Sequence, residues 1–298
     1  MLTPAPARGH GGAVAMVLGA AVSVQAGAAV AARVFPLAGP FGTVTARLAL
    51  AAVILLLVVR PRVRGWTWTQ WGPVLAFGGA LGAMNSTFYL SLERIPLGVA
   101  VTAEFLGPLT LAAVLTRRAK DLVWVALALV GVAVLGLGEG AHVGGDDLVG
   151  IGFALLAGAF WAGYILASAR VGTVVPGQGG LAVAAVVAAL IVAPVGIATA
   201  GTALLHPTVL LLGLVVAVAS SVIPYSLELS ALRRLPARTF GVLLSLEPAI
   251  AALAGWVLLS QGLPWLSVAA IGLVVAASAG STLTAPRPSP PVAPADPA

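Results

Sequence analysis

The chain has 298 residues, 60% hydrophobic and only 8% charged, with a mean hydropathy of +1.09, whereas soluble globular domains carry about 25% charged residues. That composition excludes a soluble domain and points to an integral membrane protein. The absence of cysteine excludes a disulfide framework, a thiol nucleophile and a thiolate metal site. The formal charge of +6 sits on basic residues clustered in short gaps between apolar runs, where they read as topology signals and not as nucleic-acid contacts.

About 20 apolar residues span the ~30 Å hydrocarbon core of a bilayer. Ten such segments are expected, at 12–34, 41–59, 71–92, 97–116, 122–138, 148–169, 178–200, 207–227, 238–259 and 264–284. All should be helices, because in lipid only helices and closed barrels satisfy their own backbone, and these runs lack the alternation of barrel strands. The expected fold is therefore an all-α integral membrane protein with ten transmembrane helices. In the first segment, "VQA" at Val24–Ala26 could pass for a signal-peptidase site. The run continues apolar to Val34, so it is read as a retained helix. Beyond the tenth segment, residues 285–298 are Pro-rich and predicted to be disordered.

With a cytoplasmic N-terminus, the inner connections hold Arg8, Arg60, Arg62, Arg64, Arg117, Arg118, Lys120, Arg170, Arg233, Arg234, Arg238 and Arg287, and the outer ones hold Arg33 and Arg94. Twelve against two puts both termini inside, in a multi-pass protein of the bacterial cell membrane.

Sliding the chain by 140 residues sets "SLERIPLGVAVTAEFLGP" (Ser91–Pro108) against "ALRRLPARTFGVLLSLEP" (Ala231–Pro248), so that Leu92, Arg94, Pro96, Leu106 and Pro108 meet Leu232, Arg234, Pro236, Leu246 and Pro248. One residue out of that register, Trp124–Gly131 corresponds to Trp265–Gly272, and "ARV" recurs at Ala32–Val34 and Ala169–Val171. Five helices per half is an odd number, so the halves 12–138 and 148–284 must cross the membrane in opposite senses. Inverted repeats of this kind recur in secondary transporters, with a midplane site and alternating access.

At these same residues, Leu92–Leu109 and Ser220–Gly255, the chain resembles the EamA branch of the drug/metabolite transporter superfamily, and most closely its bacterial threonine/homoserine exporters. The resemblance covers nearly the whole chain as two five-helix EamA-type units. It implies export of small metabolites such as amino acids, driven by the proton gradient. The implied partners are a small-molecule substrate, protons and the lipid bilayer, with no nucleic acid and no cofactor.

An ionisable group inside a bilayer costs about 2.5–3.5 kcal/mol or more, so each is a functional candidate. Glu104 lies roughly 10 Å below the outer end of the fourth helix and Arg47 roughly 9 Å below that of the second, at matching depths. Three readings stand: a structural ion pair; a split site in which Arg47 forks onto a substrate carboxylate and Glu104 takes the ammonium and a proton in turn; or an Arg47 that snorkels to the interface. Glu247 falls near the midplane, roughly 13 Å from the inner end of the ninth helix, with no basic residue at that depth. A carboxyl in low dielectric that holds and releases a proton suits proton coupling, and Glu247 is the expected carrier; the alternative is an acid hydrogen-bonded to nearby backbone. Pro248 should free the carbonyl near Leu244, and Pro108 should bend the fourth helix in the same way, as a hinge or as packing.

A second tier of candidates comprises Gln25, Asn85, Tyr89, Trp161, Tyr164, Ser220, Ser221 and Tyr225. Gln25, Asn85 and Trp161 fall near mid-depth, where an amide or indole needs an internal partner. Tyr89 and Tyr225 fall nearer the interfaces and fit an aromatic belt. The serines can bond to their own helix. Enzyme readings fail: His10, His142 and His206 are scattered at membrane ends, no phosphate loop or nucleophile elbow occurs, and Asp146 and Asp147 read as a solvated turn. No metal site is expected. A passive facilitator or an exporter of another metabolite or drug is the alternative.

Overall fold

The structure, a computed structural model, describes residues 10–116, 121–138, 145–224, 227, 231, 234 and 237–284. Among them there is no strand. The first element, α1 (His10–Val59), is 50 residues long, about 75 Å if straight. Gly39 interrupts it with φ 65° and ψ 175°, between Pro36 and Pro40. This is a left-handed backbone that glycine adopts without penalty, and it divides α1 into two arms, each holding one expected segment.

Next come α2 (Trp68–Leu92), α3 (Leu97–Glu104), α4 (Leu106–Thr116) and α5 (Asp121–Gly138). α2 begins three residues before expectation because Thr67 and Gln70 form a capping box, with the Thr67 N–H donating to Gln70 Oε1 at 3.0 Å. Then follow α6 (Gly145–Val174), α7 (Gly179–Ala200), a 3₁₀ turn at Gly201–Leu205, α8 (Pro207–Ala217) and a π turn at Val218–Val222. The chain closes with α9 (Ala237–Leu244), α10 (Glu247–Leu259) and α11 (Trp265–Thr284). Asp146 and Asp147 stand in the first turn of α6 and not in a turn before it, so their charges face the positive end of the helix dipole.

The segments 97–116 and 238–259 are each broken. Phe105 separates α3 from α4, and residues 245–246 separate α9 from α10. In both cases a proline lies three residues beyond the start of the break. Pro108 has no N–H to give the Glu104 carbonyl, and Pro248 none to give the Leu244 carbonyl, and each ring crowds the carbonyl four residues back. The ladder resumes with Leu109 N–H to Phe105 O at 3.3 Å and Ile250 N–H to Leu246 O at 3.0 Å.

Six stretches among the described residues are long and apolar enough to cross a membrane: Gly12–Val59, Leu97–Leu115, Gly145–Val174, Gly179–Leu205, Val242–Leu259 and Trp265–Thr284. Leu57, Val58, Leu190, Val257 and Trp265 are exposed, as suits side chains that face lipid tails. The chain is a multi-pass membrane protein. α2 and Leu122–Val134 are not among the six: Gly, Asn85, Ser86 and Thr87 dilute the first, and the second is short.

The helices pack through small residues. α2 lies on α6 and α7, α1 on α7 and α8, α3 on α10, and α5 on α11. At the break of segment 97–116, Gly107 and Gly158 of α6 meet so closely that a Cβ on either would overlap the other strand of backbone; a Cβ on Gly158 would strike the Glu104 carbonyl itself. Gly158→Ala should therefore destabilise the protein in mild detergent by about 1–3 kcal/mol. Gly152→Ala, on the same helix with open space around it, should stay within about 1 kcal/mol of the parent or gain from better helix propensity. Thermal unfolding of the two variants side by side checks this, and equal midpoints would contradict the close-packing account.

Candidate functional site

The two broken segments meet at one cavity of about 390 Å³, within the ~300–1,000 Å³ range of small-molecule sites. α1 supplies Val24, Gln25, Ala28, Arg47, Leu48, Ala51 and Leu55 to its wall, and α2 supplies Leu81, Met84, Asn85 and Phe88. Val101, Glu104, Phe105 and Pro108 come from the first broken segment, and Leu244 and Glu247 from the second. α6 adds Trp161, Tyr164 and Ile165, α7 adds Leu181 and Ala185, and the π turn adds Ser220 and Ser221, with Pro224 beyond it. Residues more than 200 positions apart thus share one chamber, most of whose lining is apolar.

Each acid flanks a break. Glu104 is the last residue of α3 and Glu247 the first of α10, and both are buried, at 8% and 9% exposure. Counting along straight helices sets the two at different depths; both line the same cavity. A broken helix does not advance a uniform 1.5 Å per residue through its break, so counted depths do not decide which side chains share a cavity. Glu247 makes a further interaction of its own and is not an isolated acid.

The Arg47 guanidinium donates through Nη1 to Tyr89 Oη at 3.1 Å, and its Cζ stands 5.7 Å from the centre of the Tyr89 ring. Tyr89 is fully buried and packs on Phe35 at 5.6 Å and Phe88 at 6.2 Å. Arg47 is thus held inward by a buried tyrosine and does not snorkel. Among the described residues no ion pair within 4 Å joins it to Glu104. Its Nε is buried without a partner, and it lines the same cavity as Glu104. Tyr89 itself is no aromatic-belt residue: it does not line the cavity but holds the cation that does.

The second tier divides. Gln25 is 3% exposed with Oε1 unpartnered, and Asn85, also 3% exposed, donates Nδ2 to Leu81 O at 2.8 Å. Trp161 meets Phe105 edge to face at 5.4 Å, and Tyr164 packs on Phe77 at 4.9 Å. Ser221 is buried, and the neighbouring Ser220 Oγ is buried with no partner at all, against the reading in which it bonds to its own helix. Gly27 of α1 packs on Ser220, and Ser23 Oγ donates to Ala219 O at 2.7 Å, so α1 is fastened to the π turn. π turns occur often at functional sites because they re-aim side chains within a helix. Pro248 is buried beside the site without lining it. Tyr225 lies outside the described residues.

The aromatic wall of Phe88 and Phe105 is legible in the sequence only as hydropathy. The one local signal is that Phe105 follows Glu104 directly, at the break.

Residues 148–283 match the model of the EamA-like transporter family. Over 271 residues, 91% of each chain, the protein is 46% identical to the threonine/homoserine exporter RhtA of Escherichia coli, and over 267 residues, 89% of each chain, 46% identical to that of Salmonella typhimurium. The chain belongs to the EamA-like transporter family. A solved crystal structure, 18% identical, covers 92% of this chain and 97% of its own with a TM-score of 0.62, a likeness of fold alone. The curated relatives are exporters and not enzymes.

Within this transporter the Arg47–Tyr89 contact is a charged hydrogen bond that orients the cavity's cation. Tyr89→Phe keeps the ring and removes the acceptor, so it should lower stability by about 1–2 kcal/mol. Thermal unfolding in detergent checks this, and an unchanged midpoint would mean that Arg47 is held by other groups.

Proposed function

We propose that this protein is a secondary active exporter of small amino acids, threonine and homoserine first among them, that moves them out of the bacterial cytoplasm in exchange for protons. The observation that carries the reading is the polarity of the cavity: one guanidinium and two carboxyls in an otherwise apolar chamber. The chain that forms it is 46% identical to threonine/homoserine exporters along nearly its whole length. A zwitterion matches that pattern. Arg47, with a free Nε donor, takes the carboxylate, and Glu104 and Glu247 face the ammonium.

Proton exchange follows from the acids being within reach of each other. Two neighbouring carboxyls in low dielectric do not both ionise cheaply, so the empty cavity holds a proton between them. An arriving ammonium supplies the positive charge instead and releases that proton. Substrate and proton then compete for one site, which is the requirement of antiport. Of the two acids, Glu247 is the expected carrier, and the positive N-terminal end of α10 favours its carboxylate once the proton has been given up.

The architecture proposed for this cycle is two inverted five-helix units, 12–138 and 148–284, with both termini cytoplasmic and a disordered Pro-rich tail at 285–298. Support comes from the breaks, whose first residues Phe105 and Ser245 lie 140 positions apart, the same offset as the sequence repeat. It also comes from the packing of corresponding segments on each other, 97–116 on 238–259 through α3 and α10, and α5 on α11. Movement of one unit against the other about the cavity would open it to each side in turn.

Uptake of labelled threonine into inverted vesicles tests the reading. It should fall to baseline when the pH gradient is collapsed, and Glu247→Gln should reduce gradient-driven uptake at least tenfold while leaving expression intact. Uptake that survives collapse of the gradient would favour a passive facilitator.

A further inference from the structure

We propose that the carboxamide oxygens of Gln25 and Asn85 read a hydroxyl group on the cargo, and so make this site selective for hydroxyl-bearing small amino acids over their apolar isosteres. The proposal rests on the amino-acid reading above and names which residues select within that class.

Gln25 is on α1 and Asn85 on α2, both 3% exposed and both lining the cavity. Gln25 Oε1 is buried with no donor. A buried acceptor without a donor is destabilising, and native structures keep few of them unless a ligand or water completes the bond. Asn85 also offers an acceptor, by another route. Its Nδ2 donates to Leu81 O at 2.8 Å, and since a carbonyl only accepts, the amide cannot be turned round. With the amide nitrogen committed to its own helix, and no donor on Oδ1 among the described residues, the oxygen is the group Asn85 can offer to the chamber.

As placed, both amides offer an acceptor to the chamber, and at Asn85 the bond to Leu81 fixes that orientation. The charged acceptors of the cavity, Glu104 and Glu247, already suit the ammonium, and Arg47 suits the carboxylate. Neutral acceptors are left for a neutral donor, and the simplest on a small amino acid is a side-chain hydroxyl. An apolar isostere would fill the same volume but leave both amide oxygens unpartnered in the loaded state. Sites built to bond a substrate hydroxyl discriminate strongly against analogues that lack it.

The test compares threonine with valine, which replaces the hydroxyl by a methyl at nearly equal volume. Initial rates of uptake into proteoliposomes give kcat/KM for each in the parent protein, in Asn85→Leu and in Gln25→Met, after thermal unfolding has shown which variants fold. The parent should favour threonine by roughly a hundredfold. Either folded variant should lower that ratio at least tenfold, mainly by losing threonine while valine is kept. A ratio unchanged within twofold in every folded variant, or equal loss of both substrates, would overturn the proposal, because a merely structural amide would not distinguish the two. Should the parent carry neither amino acid, the amino-acid reading itself falls, and this proposal with it; strong threonine transport with an unaltered ratio would leave that reading standing and remove this one.

Discussion

Two prolines in the middle of apolar helices set the terms for everything else. Pro108 and Pro248 each withhold a backbone donor where there is no water to replace it. The chain responds by breaking both helices, at Phe105 and at residues 245–246. Each break leaves an acid beside it, so the polar backbone and the polar side chain share the same small volume. The Gly158 backbone of α6 is pressed onto the Glu104 carbonyl, and Ser245 reaches Ser278 of α11 at 3.0 Å. The breaks are thus built into the packing rather than left as loose joints, and the cavity is the space that two such joints leave between them.

Around that space the side chains are sorted by the charge they can match. Arg47 is turned inward by Tyr89, whose ring is packed by Phe35 and Phe88. Both acids line the same chamber from the broken segments, and among the described residues no ion pair within 4 Å joins Arg47 to Glu104. A closed pair would satisfy itself and leave nothing for a ligand; an open arrangement leaves Arg47 Nε unpartnered and both signs of charge presented to one chamber. The cost of burying those groups makes sense when a zwitterion completes them. Gln25 and Asn85 extend the same logic to neutral donors.

Much of this was legible in the sequence, for physical reasons that also explain the exceptions. Hydropathy located the apolar helices to within a few residues because lipid demands long apolar runs. The error at α2 came from a capping box, Thr67 with Gln70, that starts the helix before its apolar stretch. The prolines announced the breaks. The residues that converge on the cavity were named from rarity alone: an amide, an indole or a charge inside a membrane needs a reason. What could not be read was distance. Counting residues along straight helices sets Glu104 level with Arg47 and apart from Glu247, whereas all three line one cavity. By depth alone Tyr89 reads as an interfacial residue, while in the fold it packs on Phe35, far away in the chain, and accepts from Arg47. The unpartnered Ser220 depends on the π turn, which carries no clear mark in the sequence.

The central claim is that cargo and proton compete for one cavity between the two breaks. Calorimetric titration of the purified protein with threonine, in two buffers of different ionisation enthalpy, measures it directly through the protons released per threonine bound. Release that approaches one proton per threonine at some pH between 5 and 9, and is absent from the Glu104→Gln, Glu247→Gln double variant, is the expected result. Threonine binding with no proton release anywhere in that range would contradict it.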